Sequence, residues 1–300
     1  MNPVVTPPKG TPQKIAEALF VGLQYLLPHH LLSWLMHSIT RIEAKGFKDT
    51  LIRRVIDWYK VDMQEALESD PSTYRSFNDF FTRALRPDAR PVTQETNKVA
   101  CPADGALSQA GDIEGDDLFQ AKGHHYSLLE LLGGDPEMSQ QFEEGSFATI
   151  YLSPRDYHRV HMPLNGKLRK MVHVPGRLFS VNETTSRMVP RLFARNERVI
   201  SLFDTDIGPM AVILVGAIFV SSIDTVWAGT ITPVRERVRS WNYQPQPTPQ
   251  TVNLEKGEEM GRFNMGSTVI LLFGKDAIEW DEAFTAGATL KVGEAIATTT

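Results

Sequence analysis

Apolar residues dominate Ile15 to Ile39: Ile15, Leu19, Phe20, Leu23, Leu26, Leu27, then Leu31, Leu32, Trp34, Leu35 and Met36. A membrane-spanning helix wants about 20 unbroken apolar residues. Pro28-His29-His30 splits this stretch, so the pattern predicts two short helices. Residues 49–66 repeat the helical period through Leu51, Ile52, Val55, Ile56 and Tyr59. Ser76-Phe77-Asn78-Asp79 reads as a capped helix start, closed off by Pro87 and Pro91. After about residue 97 the texture changes to short Val/Ile/Thr/Phe runs between Gly and Pro, namely 147–152, 167–174, 199–203, 210–220, 225–234 and 267–273. Such runs predict strands. The longest, Met210–Val220, contains Gly216 and follows Gly208-Pro209, which predicts buried strands and not a span. The reading is α+β: a disordered Pro-rich start over 1–14, amphipathic helices over 15–70, and a β-rich domain over 71–300, with a loop at 244–250.

Charge refines this picture. The chain of 300 residues has 31 Lys/Arg against 36 Asp/Glu, a formal charge of −5, which argues against a nucleic-acid partner. Residues 1–60 nevertheless carry eight basic and four acidic side chains, +4, leaving −9 for the rest. The N-terminal helices therefore pack on the domain or lie in an anionic membrane surface, and the pattern alone leaves both open. The start shows no basic-then-apolar signal-peptide pattern, and the single Cys101 rules out an intrachain disulfide and Cys₂His₂-type zinc sites.

The densest cluster of chemistry is Ser153-Pro154-Arg155-Asp156-Tyr157-His158-Arg159-Val160-His161-Met162-Pro163. Ser153, Pro154 and Asp156 suit one capped helical turn, leading into a strand near Val160. His158 and His161 read as a metal pair, as structural histidines, or as a catalytic site. No third ligand stands at a recognisable spacing, so no metal is assigned, and an imidazole near its titration point fits acid–base work best. Asp104, in Pro102-Ala103-Asp104-Gly105, is either a turn residue or the acid that orients an imidazole. Ser267 follows Gly266 at the mouth of an apolar strand and lacks the Gly-x-Ser-x-Gly pattern. The residues alone reach only a candidate Asp/His/Ser nucleophilic site in a β-rich domain.

Together, these segments resemble the bacterial and mitochondrial type of phosphatidylserine decarboxylase, a pyruvoyl-dependent family. The likeness rests on Tyr59–Met63, Phe77–Arg83, Pro102–Gly105, Ala121–His124, Tyr151–Pro163, Leu192–Val199, Val226–Pro233 and Gly261–Ile270. It runs from about residue 20 onward. One departure stands at the cleavage motif, where Met265 occupies the usual Leu position. The swap keeps apolar volume and leaves Gly266-Ser267 intact.

The resemblance implies a catalytic domain of barrel-sandwich character. It also implies self-cleavage between Gly266 and Ser267 into a β chain, 1–266, and an α chain, 267–300. Carried over by motif, Asp104, His161 and Ser267 form the charge-relay trio of that cut. Ser267 becomes the covalent pyruvoyl (pyruvate) cofactor, which binds the phosphatidylserine amine as a Schiff base. His158 is the candidate for proton transfer or for handling the substrate carboxylate. A diacyl substrate implies peripheral docking on an anionic membrane, expected at the cytoplasmic face, and a homodimer is a further candidate assembly. The rivals are an uncut serine hydrolase, a non-enzymatic lipid-surface adaptor, and a pyruvoyl enzyme acting on soluble amino acids.

Overall fold

The computed structural model describes residues 11–121, 123–220, 222–231, 237–244 and 251–300. Four helices come first: α1 (Thr11–Leu26), α2 (His29–Thr40), α3 (Lys45–Tyr59) and α4 (Phe77–Phe81). Strands β1 (Lys98–Ala100), β2 (Gly105–Asp112), β3 (Asp117–Ala121) and β4 (His124–Ser127) lead to short helices α5 (Leu128–Leu131) and α6 (Pro136–Gln140). Next come β5 (Ser146–Leu152), β6 (Arg159–His161), β7 (Gly166–Val174), α7 (Glu183–Met188) and α8 (Leu192–Arg195). The remaining elements are β8 (Arg198–Thr205), β9 (Gly208–Gly216), β10 (Ser222–Thr225), β11 (Gly229–Ile231), β12 (Arg239–Asn242) and β13 (Asn253–Leu254). They close with β14 (Glu259–Asn264), β15 (Ser267–Phe273), β16 (Ile278–Trp280), β17 (Thr289–Leu290) and β18 (Ala295–Thr299). The class is α+β, as the hydrophobic pattern predicts.

The main antiparallel sheet runs β12-β7-β8-β9-β15-β5-β2-β17, with β13 added to β7. Its centre is β15, paired to β5 on one side and β9 on the other. Every residue of β15 is buried, so both of its faces are covered. That is why Ser267–Phe273 reads as continuous apolar sequence and not as an alternation. A second sheet, β11-β10-β14-β6, holds the strand that feeds β15. Arg198, fully buried in β8, donates to the carbonyls of Leu131, Ala194 and Asn196 and so ties the α5 and α8 segments to the sheet. Burial lowers its pKa to about 10.

The N-terminal helices are fastened through Val21, which is buried in the main core, through Tyr25 against Phe179, and at a few polar points. Gln24 Oε1 accepts from the Ser180 amide at 2.7 Å, and Glu17 pairs with Arg187 at 2.6 Å. Ile52, Val55, Phe77, Phe80 and Phe81 form a small separate core between α3 and α4. Outside these contacts the helices expose apolar surface: Leu19 is 69% exposed, Leu26 82%, Trp34 63% and Trp58 73%. Among the described residues no helix is long and apolar enough to cross a membrane.

Several boundaries differ from those the sequence predicts, for local reasons. Helix α1 begins at Thr11, inside the segment expected to be disordered; residues 1–10 lie outside the described residues. Helix α3 runs 45–59 and not 49–66, because Lys60 turns left-handed (φ 56°) and its N–H closes on Ile56 O. The 225–234 run contains a hairpin: β10 and β11 pair antiparallel around a turn that ends at Gly229, and 232–236 lie outside the described residues. So do 245–250 of the expected loop. The Ser153–His158 segment is a turn and not a helical turn. Asp156 N–H reaches Ser153 O at 2.9 Å, but no helix follows, and the Asp156 carbonyl accepts from the His158 ring at 2.8 Å.

Candidate active site

Ser267 is the first residue of β15, placed by its ladder partners Leu152 and Gly216. It is wholly buried, and its Oγ has no hydrogen-bond partner. The two residues before it, Met265 and Gly266, carry the chain from the second sheet into the main one. Met265 has φ 98°, a conformation that costs a non-glycine residue roughly 1–3 kcal/mol. The link stays strained because both ends are fixed. On the β15 side the ladder holds it. On the other side Asn264 Nδ2 donates to Ser222 Oγ and to Asp224 Oδ1, both at 2.8 Å, and Asn264 Oδ1 accepts from Asn78 Nδ2 at 2.9 Å. The Met265 side chain packs against the α3–α4 core. A Cβ on Gly266 would meet nothing within 4 Å, so space is free on the side-chain side of its Cα.

The junction forms part of the wall of a cavity of about 330 Å³, lined by apolar side chains including Met36, Trp58, Phe77, Phe81 and Phe219. Phe81 also lies against the His158 ring, centroids 4.1 Å apart. His158 is fully buried. Its Nδ1 carries the proton, since it faces the carbonyl of Asp156 at 2.8 Å, which leaves an Nε2 lone pair with no partner. Burial, then the nearby Arg83 charge, lowers its pKa to about 3, so the ring is neutral at physiological pH.

His161 is differently engaged. Nδ1 donates to Gly257 O at 2.8 Å, and Nε2 lies 3.1 Å from the Tyr157 hydroxyl. Burial lowers the His161 pKa and lifts that of Tyr157 to about 12. Asp104, 2% exposed, hydrogen-bonds to neither histidine. Its carboxylate receives Arg90 through Nε at 2.9 Å and Nη2 at 2.6 Å, the Val292 amide at 2.9 Å, and Lys291 Nζ at 3.4 Å. Burial opposes the Arg90 charge, but its hydrogen bonds to Asp104 and Glu65 outweigh that and raise its pKa. The charge of Asp104 favours protonation of both His158 and His161 at a distance. Gly105 beside it is obligatory, because a Cβ there would stand 2.2 Å from Tyr151 O. Asp104 and Ser267 are buried and His161 is half-buried, Asp104 lies near enough to His161 for its charge to be felt there, and no hydrogen bond joins the three.

A model of the phosphatidylserine decarboxylase family matches residues 77–298, and a second, described as PSD, matches 19–60. The phosphatidylserine decarboxylase proenzyme of Pseudomonas entomophila (strain L48) is 56% identical over 279 residues, 93% of this chain and 97% of that protein. The one from Bordetella pertussis is 56% identical over 281 residues, 94% of each. The chain belongs to the phosphatidylserine decarboxylase family. It is accordingly a carboxy-lyase.

Within this family member, Arg83 is the residue the sequence reading passes over. It is 4% exposed, lies 5.4 Å over the Phe80 ring, and donates from Nη2 to Arg155 O at 3.2 Å. Its Nε and Nη1 have no partner, and burial lowers its pKa. A motif Arg carries no signal of this kind, because the missing counter-ion shows only in three dimensions.

Proposed function

We propose that this decarboxylase makes its own electrophile by cutting the Gly266–Ser267 bond, yielding chains 1–266 and 267–300. The observation that carries the reading is the junction itself: a strained Met265 and, two residues on, a buried Ser267 Oγ with no partner. Ser267 Oγ attacks the Gly266 carbonyl and its proton passes to a base. The peptide becomes an ester, and loss of the Ser267 Cα proton then expels the Gly266 carboxylate. The dehydroalanine left at 267 takes up water and releases ammonia. In this assignment His161 is the base and Asp104 supports its charge, so the Tyr157–His161 bond opens before the cut. The free Nε2 of His158 favours a second reading, in which His158 takes that proton.

The buried, uncommitted Oγ at the cavity wall fits a residue that leaves as a pyruvoyl group. That group supplies an electrophilic carbonyl, which protein side chains lack and decarboxylation next to an amine needs. The chain's own residues do the rest. His158 handles the proton returned to the substrate Cα. Arg83 offers two uncommitted N–H groups to an anionic oxygen of the headgroup. The apolar cavity between α2, α3 and α4 receives acyl chain. The exposed apolar side chains of α1–α3 dock the enzyme on phosphatidylserine-bearing membrane, peripherally at the cytoplasmic face. After the cut the two chains stay together, because β15 keeps its ladders to β5 and β9.

Intact mass under denaturing conditions tests the reading, on wild type and Ser267→Ala. Two wild-type chains parted after Gly266, the smaller lacking one ammonia relative to a Ser-started peptide, are expected. A single uncut chain in soluble, folded wild type would refute the proposal.

A further inference from the structure

We infer that the basic cavity at the first turn of α2 is a second lipid-headgroup site, which takes the phosphodiester of an anionic phospholipid that is not being decarboxylated. The inference rests on the membrane-docking reading above and adds a place and a ligand to it. The cavity, about 430 Å³, lies between the α1–α2 corner and the segments carrying Arg177 and Arg195.

Its charge is one-sided. None of its lining residues is acidic. The Arg195 guanidinium donates to Tyr25 Oη at 3.1 Å and lies 5.2 and 5.1 Å over the rings of Tyr25 and Phe179. Arg177 is exposed, and its charge is felt at His29. The N-terminus of α2 adds its partial positive charge, since Pro28 offers no side-chain cap.

His29, 3% exposed, fixes the corner against the Arg177 segment. Its Nδ1 accepts the Leu178 N–H at 3.3 Å, which places the ring proton on Nε2, turned to the Gln24 backbone, so the ring anchors the first turn of α2 at the cavity. Nδ1 of His30 is unpartnered. Two arginines and an uncapped helix start thus border one cavity, and none of its lining residues is an anion.

The neighbouring helix surface selects the source of the phosphate. Leu23, Leu26 and Leu31 beside the corner are 55%, 82% and 50% exposed, which suits acyl chains and not a soluble anion. The site is also distinct from the reaction cavity. His29 and His30 line one and Met36 and Thr40 the other, so along α2 their lining residues stand about 9 to 16 Å apart. A lipid held at the first turn of α2 therefore fixes the helix whose last turn faces the reaction cavity.

The test uses mature enzyme and sedimentation with vesicles of phosphatidylcholine alone or with one-fifth phosphatidylglycerol, which is not a substrate. Arg177→Gln should lower the partition coefficient on phosphatidylglycerol vesicles about fivefold and Arg177→Glu about thirtyfold, with binding to neutral vesicles unchanged. Lys275→Gln, an equal charge change at the far end of β15, should cost less than about twofold. Short-chain phosphatidylglycerol, and not short-chain phosphatidylcholine, should slow amide exchange at 29–31 and 176–178. Equal losses for the Arg177 and Lys275 variants, or no protection at those amides, overturns the site alone. Wild type that binds neither vesicle overturns the docking reading as well.

Discussion

The Tyr157 hydroxyl donates to Nε2 of His161 across 3.1 Å, because Nδ1 of the same ring already donates to Gly257 O. The phenol, its pKa raised to about 12 by burial, keeps that proton at neutral pH and caps the lone pair of His161. If His161 is the base of the cut, His161→Ala should slow it about 10²–10⁴-fold. Tyr157→Phe should cut at least as fast as wild type, and His158→Ala should cut normally yet lose decarboxylation. A time course of chain cleavage on a denaturing gel, with a headspace CO₂ assay, reads all three. Cleavage in His161→Ala together with none in His158→Ala reverses the two roles.

Arg83 gives a prediction specific to the headgroup. A charged hydrogen bond is worth about 1.5–3 kcal/mol, so Arg83→Gln should lower kcat/KM for phosphatidylserine about 10–100-fold while the cut proceeds. Lysine at 83 should recover part of the loss. Product inhibition identifies the anion. Phosphatidylethanolamine keeps the phosphodiester and lacks the carboxylate, so its inhibition constant rises in Arg83→Gln only if the phosphate is what Arg83 holds. Wild-type kinetics in the variant would remove Arg83 from the site.

Much of this architecture is legible in the chain because it is local. Ser267–Phe273 is apolar throughout, as a strand covered on both faces must be, and it forms over the predicted span. Ser76 caps α4 by accepting the Asp79 amide at 3.2 Å, as its motif predicts. The site is less legible because its defining relations are long-range. Arg90 meets Asp104 across 14 residues and Asn78 meets Asn264 across 186. The left-handed Met265 is illegible for a different reason: nothing in a methionine requests φ 98°, and only the fixed strands on either side impose it.

That imposition can be measured. Replacing Met265 by Ala or Gly removes the same packing against the α3–α4 core, but only Gly tolerates φ 98° without strain. In the uncut Ser267→Ala background, Met265→Gly should therefore be more stable than Met265→Ala by about 1 kcal/mol. Urea denaturation of the two variants reads the difference. Equal stability, or an advantage for Ala, would mean that the junction stores no backbone strain.

His158 ties the site to acid stability. Its folded-state pKa is about 3 against 6.5 for an exposed histidine, so below pH 6.5 the unfolded chain binds a proton that the folded chain refuses. Stability then rises with pH between about 3 and 6.5 and is lost on acidification through that window. From pH 7 to pH 5 this single group costs about 2 kcal/mol. The uncut Ser267→Ala chain should lose that much more over this interval than the same chain carrying His158→Gln. His29 and His161, whose pKa values burial also lowers, contribute equally to both and cancel in the comparison. Urea midpoints at the two pH values decide it. Parallel pH profiles for the two chains would place the His158 ring in contact with water, and its neutral, buried state would have to be abandoned.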